Sequence, residues 1–421
     1  MGAEDRNDRV GRREARRRAV KRRRLAAVVA VVAVVGAAIA VPLYASARGG
    51  SNTALTAAPA SSKPKVRVKA NRKPPKPASR TLAVSGRPSD RARLKLAGVI
   101  TGNISPKSVA SSGAGYVTAQ NMMYRHSVTV YDAATLKLVK TIPDAVQLSK
   151  LGYPQYPGVV RGAPVEAAFS ADGHYGYVSN YSMYGAGFGP EGSDNCTPSS
   201  GTDRSFVYRI DMKKLKIDRA YHVGAVPKVV AVTPDGRFVL ATNWCTWDLS
   251  VISTKLGREV KRIPIGAYPR GIAVSPKGNA AYIAVMGGNE LVRVDLRRWT
   301  TSHVGVGAGP RAAVFHPSDR YIFTTLNAEG RVAKLDLKTG TVTAKVATGQ
   351  APRSLTIAAD GRSLYVVNYE SGTVTKLRSS DMRTLETIEV CFHPIGITYD
   401  RATKRVWVAC YTGSIRVYND W

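Results

Sequence analysis

From Arg91 to the C-terminus, apolar and polar residues alternate in short runs of about six. Val229–Val232 and Phe238–Thr242 have the period of two expected of strands with one buried face. Between them lies Pro234-Asp235-Gly236, a tight-turn signal in which proline presets φ and glycine takes the positive-φ position. A third strand is predicted at Leu249–Ile252, with equivalents at Leu291–Asp295, Val332–Asp336 and Val374–Leu377. A fourth is predicted at Glu259–Ile265 and again at Thr341–Ala347. No apolar stripe with helical spacing persists, and Gly and Pro recur inside every unit, which excludes a helical repeat.

The pattern repeats. GAVPKVVAVTPDGRFVLATN (224–243), GAYPRGIAVSPKGNAAYIAV (266–285), GAGPRAAVFHPSDRYIFTTLN (307–327) and GQAPRSLTIAADGRSLYVVN (349–368) align closely. Looser copies occupy 162–180 and 393–410, and a fainter one lies at 105–121. The shared proline marks seven positions: Pro106, Pro164, Pro227, Pro269, Pro310, Pro352 and Pro394. Their spacings are 58, 63, 42, 41, 42 and 42, so the first two intervals carry insertions. Four antiparallel strands per repeat of this length define a propeller blade. The expected fold is therefore all-β, a seven-bladed β-propeller over residues 91–421. The last repeat supplies only three strands before Trp421, so the orphan segment 92–100 is expected to pair with it as its outer strand and close the ring.

YVSN (177–180), YVVN (365–368), VLATN (239–243) and the turns before them resemble the YVTN-type (YncE-like) β-propeller repeat family. The resemblance covers about 330 residues and implies the fold. It does not imply one chemistry, because related propellers include adhesins, binding modules and a few enzymes. Blades 1 and 7 depart most from the pattern.

The first ninety residues read differently. Residues 1–24 hold 11 basic and 4 acidic side chains, and an uncharged stretch then runs from Leu25 to Ala47. About twenty apolar residues in a helix span a bilayer, so 25–45 is expected to be a transmembrane signal-anchor with 1–24 as a cytoplasmic tail. The alternative is a signal peptide cut after Ala47, giving a secreted product; the length of the apolar run favours the anchor. Residues 46–90, rich in Pro, Lys and Ala, are expected to be a disordered linker. The expected location is the cell membrane, single-pass, with the propeller outside the cytoplasm.

The formal net charge of +33 divides between these parts: residues 1–90 carry +16 and the propeller +17. A total this basic would suit nucleic acid, but the exported location and the lack of a nucleic-acid-binding motif argue against that partner. An anionic cell-wall polymer, a glycan or a protein partner fits better, with the chain expected to be monomeric.

The residue after each marker proline is basic in five of seven repeats: Lys107, Lys228, Arg270, Arg311 and Arg353. This position enters the innermost strand, so the five are expected to converge on one channel mouth and favour an anion. A tolerated solvated rim would give the same pattern. Aromatics on the insertions of the same face (Tyr153, Tyr156, Tyr181, Tyr184, with Trp244 and Trp247 in the next blade) are expected to offer stacking platforms, or else to pack on one another. Four cysteines fall on that rim, and the pairs Cys196–Cys245 and Cys391–Cys410 are expected outside the cell. Neither a metal site nor a cofactor is expected, because no CxxC or HExxH spacing occurs. No catalytic residue is assigned. A propeller lyase or hydrolase remains the alternative, for which His393 and Glu166 are the candidates nearest the channel mouth.

Overall fold

The computed structural model describes residues 86–182 and 186–421. The expected tail, membrane span and all but the last residues of the linker, together with Tyr184, lie outside the described residues. Among the described residues, no helix is long and apolar enough to cross a membrane.

Seven four-stranded antiparallel sheets form the blades of a propeller. Blade 3 is typical: Pro227–Val232, Phe238–Asn243, Asp248–Ser253 and Arg258–Pro264 run from the central channel outward. The innermost strands of blades 2 to 7 start at the marker prolines themselves, at Pro164, Pro227, Pro269, Pro310, Pro352 and Pro394. Proline is tolerated there because it opens an edge strand and owes no ladder N–H. Gly236 takes the predicted positive φ, 68°, in the turn after it.

Each blade buries its two middle strands, and the apolar faces of neighbouring blades interlock. Leu240, Val251, Ile283 and Val292 fill the layer between blades 3 and 4. Each such side chain contributes roughly 1.5–3 kcal/mol of transfer free energy. The outermost strands keep the alternation read from sequence; in Thr341–Ala347 every second residue faces solvent. Inner strands approach closely: a Cβ on Gly271 would lie 2.7 Å from the Cα of Ala312 in the next blade.

The ring closes as expected. Lys95–Ile100 pairs antiparallel with Ser414–Asn419 as the outer strand of blade 7, with Lys95 opposite Asn419 and Ile100 opposite Ile415. The strand is shorter than the predicted 92–100 because the preceding backbone is diverted to blade 6. The Leu94 N–H donates to Glu386 Oε1 at 2.8 Å, and the Ser89 N–H and hydroxyl donate to the Asp360 carboxylate at 2.8 and 2.7 Å. Asp90 lies 3.9 Å from Arg362 and 3.6 Å from Arg378. At the seam, fully buried Lys376 donates to Asp420 and, at 2.8 Å, to the Ala92 carbonyl, while the Tyr365 hydroxyl donates to the other Asp420 oxygen.

Candidate functional site: a cationic channel mouth

The same local device recurs at the start of the inner strands. The residue before the marker proline is left-handed in five blades: Val226 (φ 53°), Tyr268 (58°), Gly309 (63°), Ala351 (52°) and His393 (53°). For β-branched Val226 this conformation is strained and persists only where surrounding bonds enforce it. They do so here, because the residue just after the blade's second strand donates its N–H back to that carbonyl. These bonds are Trp244 to Val226 (3.0 Å), Met286 to Tyr268 (3.1 Å), Asn327 to Gly309 (2.9 Å), Tyr369 to Ala351 (3.1 Å) and Tyr411 to His393 (3.1 Å). Just after the proline, the inner-strand register slips in blades 2 to 7. Such a bulge leaves residues out of the ladder and re-aims their side chains.

In blades 3 to 6 the residue placed in the bulge is Lys228, Arg270, Arg311 or Arg353; Lys107 enters from blade 1. Lys107, Lys228, Arg270 and Arg311 are only 8, 3, 5 and 7% exposed, and Arg353 is half-buried. They sense one another across the ring. Lys107 interacts electrostatically with Arg270, Glu166, Arg311 and Lys228, which come from four other blades. That is possible only near the common axis.

Three carboxylates offset these five cations, Glu370 being the one beside Arg353. Asp194 accepts from Lys228 Nζ at 2.5 Å, and Glu166 faces Lys107, Arg270 and Arg311. Lys228 also lies 4.5 Å from the Tyr181 ring centre, Arg270 5.7 Å from that of Trp244, and Arg353 3.4 Å from that of Tyr369. Arg311 reaches Met286 Sδ with Nη1 at 3.5 Å, but its Nε and that of Arg353 have no hydrogen-bond partner among the described residues. Burial, reinforced by Arg270, holds the Lys107 ammonium well below the usual lysine range. Burial brings Lys228 down to about 8 against the pull of Asp194. Arg311 is lowered by burial and then by Arg270 and Arg353, yet a guanidinium starts so high that it stays charged. Burial raises Glu166, opposed first by Lys107; burial also works against Asp194, but Lys228 together with Arg270 and Lys107 brings it down.

The aromatic residues divide. Tyr181 and Trp244 sit beside the cations but are buried. The Tyr181 hydroxyl donates to the Ser193 carbonyl, and Trp244 Nε1 donates to the Asp194 carbonyl at 2.9 Å. Together with the Cys196–Cys245 disulfide (Cα–Cα 5.1 Å) they form the core of the blade 2 insertion. Their rings are occupied in packing, the second of the two roles expected for them. Trp247 packs edge-on against Tyr268 at 5.6 Å. Tyr153 and Tyr156 lie beside the outer strand of blade 2 and not at the channel. Both pack on Phe206, at 5.0 and 5.7 Å, and the Tyr153 hydroxyl donates to the Ala220 carbonyl and accepts from the His222 N–H. The Cys391–Cys410 disulfide is also formed, as expected (Cα–Cα 6.1 Å).

Sequence reasoning missed Asp194, the counter-ion of Lys228. It lies outside the repeat, and its only signal was its position two residues before Cys196, whose partner Cys245 adjoins Trp244. His393 and Glu166 do not form a pair. The His393 ring lies between Phe392 (3.7 Å) and Tyr369 (4.0 Å), with Nε2 3.6 Å from Glu370, whereas Glu166 faces Lys107. Among the described residues, no group of three or more His, Cys, Asp or Glu has metal-binding geometry.

Fold and channel define a seven-bladed β-propeller with an electropositive axis, and one of the relatives is described as such a propeller. Over 128 residues the chain is 34% identical to the seven-bladed beta-propeller protein Rv1057 of Mycobacterium tuberculosis, covering 28% of this chain and 31% of that one. Over 185 residues it is 27% identical to hydrazine synthase subunit beta of Kuenenia stuttgartiensis, covering 39% and 44%. Over 169 residues it is 24% identical to antigen Lp49 of Leptospira interrogans, covering 38% and 37%. The chain thus spans less than half the length of each of these curated relatives. The solved structure of Kuenenia stuttgartiensis hydrazine synthase superposes with a TM-score of 0.59 at 18% identity, over 76% of this chain and 96% of that one, which shows the shared fold.

Residues 302–417 match the family model described as the cytochrome D1 heme domain. The side chains in that stretch do not fit a haem. His303 lies on an outer strand against Glu290, and His316 engages Ser318 in a turn. His393 is flanked by two aromatic rings, and the inner-strand positions present guanidinium groups instead of neutral nitrogen donors.

Proposed function

We propose that this chain is a recognition or scaffold module of YVTN type, held outside the cytoplasm by its N-terminal span, that binds an anionic ligand at the channel mouth. The ligand class is an acidic wall polymer, an acidic glycan or an acidic segment of a protein partner. One observation carries the reading: five basic side chains converge on the axis against three carboxylates, and the Nε atoms of Arg311 and Arg353 keep unused donors among the described residues. Buried guanidinium groups with spare donors favour bidentate recognition of carboxylate or phosphate. The lyase or hydrolase reading gains nothing from the geometry, because its His and Glu are not together.

The test is calorimetric binding of purified full-length chain to a library of acidic glycopolymers at rising salt. Affinity should fall with ionic strength, and by at least about tenfold when Arg270, Arg311 and Arg353 are all changed to Gln. A triple variant that melts normally and binds the same polymer undiminished would sink the assignment.

A further inference from the structure

The channel mouth already holds an acid of its own. Asp194 lies outside the repeat, in the blade 2 insertion, yet its carboxylate acts on all five basic side chains: Lys107, Lys228, Arg270, Arg311 and Arg353. Lys228 Nζ donates to its Oδ1 at 2.5 Å and, among the described residues, has no other acceptor. The carboxylate therefore sits where a bound acid would sit. Three contacts hold the surrounding chain in place without using that carboxylate. The Tyr181 hydroxyl donates to the Ser193 carbonyl, Trp244 Nε1 donates to the Asp194 carbonyl at 2.9 Å, and Cys196 is bonded to Cys245. The Asp194 side chain is 35% exposed whereas Lys228 is buried, so the acid is the member of the pair that solutes reach. Such an acid competes with any incoming one, because buried cations demand a counter-ion and the same donors serve both.

We propose that the strap formed by residues 193–196 autoinhibits the channel mouth, with Asp194 as a tethered internal ligand that an external polyacid displaces. The proposal rests on the anion-binding reading above and adds its regulation. The incoming acid takes the place of Asp194 on Lys228, and a second acid group on the same ligand reaches the Nε donors of Arg311 and Arg353, which Asp194 leaves unbonded. A ligand with two or more acid groups is thereby favoured over a single carboxylate, which merely exchanges for another. The Cys196–Cys245 disulfide governs the strength of the competition, because a short tether keeps the local concentration of Asp194 high. A strap closed in about nine molecules of ten weakens the apparent affinity about tenfold.

The experiment measures calorimetric affinity of the full-length chain for trigalacturonate and for inorganic tripolyphosphate, one carrying carboxylates and the other phosphates, at fixed pH and salt. Asp194→Asn keeps the side-chain shape and the backbone bond to Trp244, and should bind about tenfold tighter than the parent. Glu166→Gln removes the same charge from beside Lys107, Arg270 and Arg311 but leaves the strap closed, so it should tighten binding by under about threefold. Cys196→Ser with Cys245→Ser keeps every charge and loosens the strap; it should also tighten binding, and add little on the Asp194→Asn background. Affinity unchanged in Asp194→Asn, with a probe still bound, overturns autoinhibition and leaves the recognition reading standing. Equal gains from Asp194→Asn and Glu166→Gln reduce the effect to net charge and overturn it as well. Binding of neither probe by any of these forms overturns the anion reading itself. The Asp194→Asn comparison decides the matter even where the cysteine variant fails to fold.

Discussion

The propeller is held shut by one buried ion pair whose replacement has a calculable cost. Lys376 in blade 6 donates to Asp420 near the C-terminus and to the Ala92 carbonyl ahead of the closing strand, and both charged side chains are fully buried. Lys376→Met would take the buried cation from the Asp420 carboxylate, leaving it the Tyr365 hydroxyl, and strip the Ala92 carbonyl of its donor. Removing one partner of a buried pair costs about 3–5 kcal/mol, whereas replacing both by apolar groups of similar volume is often close to neutral. Burial raises the Asp420 carboxyl despite Lys376, so the double replacement should cost much less than the single one. Urea unfolding followed by tryptophan fluorescence measures this, since Trp407 is buried in blade 7 beside the seam. Lys376→Met alone should lose about 3–5 kcal/mol and the Lys376→Met/Asp420→Leu pair less than about 2 kcal/mol. The single loss should shrink in acid, where Asp420 takes a proton. A single variant costing under about 1 kcal/mol, or a double variant equal to the sum of the singles, would refute the clamp.

Two further predictions concern stability. Deleting Lys95–Ile100 removes the fourth strand of blade 7 and exposes the edge of Ser414–Asn419; the whole domain should melt many degrees lower and aggregate, and an unchanged melting temperature would disprove closure. Asp144 is buried beside the Tyr208 hydroxyl, and burial pushes its carboxyl up from 3.8 to about 8. The folded form therefore holds a proton that the unfolded form releases, so its contribution to stability is full below about pH 4 and is lost as pH rises toward 8. Asp144→Asn should accordingly stabilise by roughly a few kcal/mol at pH 9 and by almost nothing at pH 4, read as the difference from the parent in urea titrations.

The strands were legible because alternation and the marker proline recur at fixed phase, and so was the closing strand, since it follows from counting strands in the last repeat. The cations were legible for the same reason: Lys228, Arg270, Arg311 and Arg353 hold the same place in successive units. What aims them was not. Val226, Tyr268 and Ala351 are residue types that ordinarily avoid positive φ, so nothing in their identity announces a left-handed turn ahead of a bulge. Asp194 and Asp144 lie in insertions, outside any repeat phase, and only the folded chain brings one to Lys228 and the other to Tyr208. Aromatic content marked the insertions correctly but not their purpose. Tyr181 and Trp244 are needed to give a long segment a core of its own, and that need is invisible without knowing which rings meet.

The diversion of Ser89 to Leu94 onto blade 6 has a mechanical consequence. Any pull transmitted from upstream reaches the Ser89–Asp360 bonds and the Asp90 contacts with Arg362 and Arg378 before it reaches the closing strand. Tension is therefore divided between two adjacent blades, and the hydrogen-bonded ladder from Lys95 to Ile100 is shielded from being peeled at its first rung. The latch acts as a strain relief, of the kind that keeps a cable from loading its own solder joint.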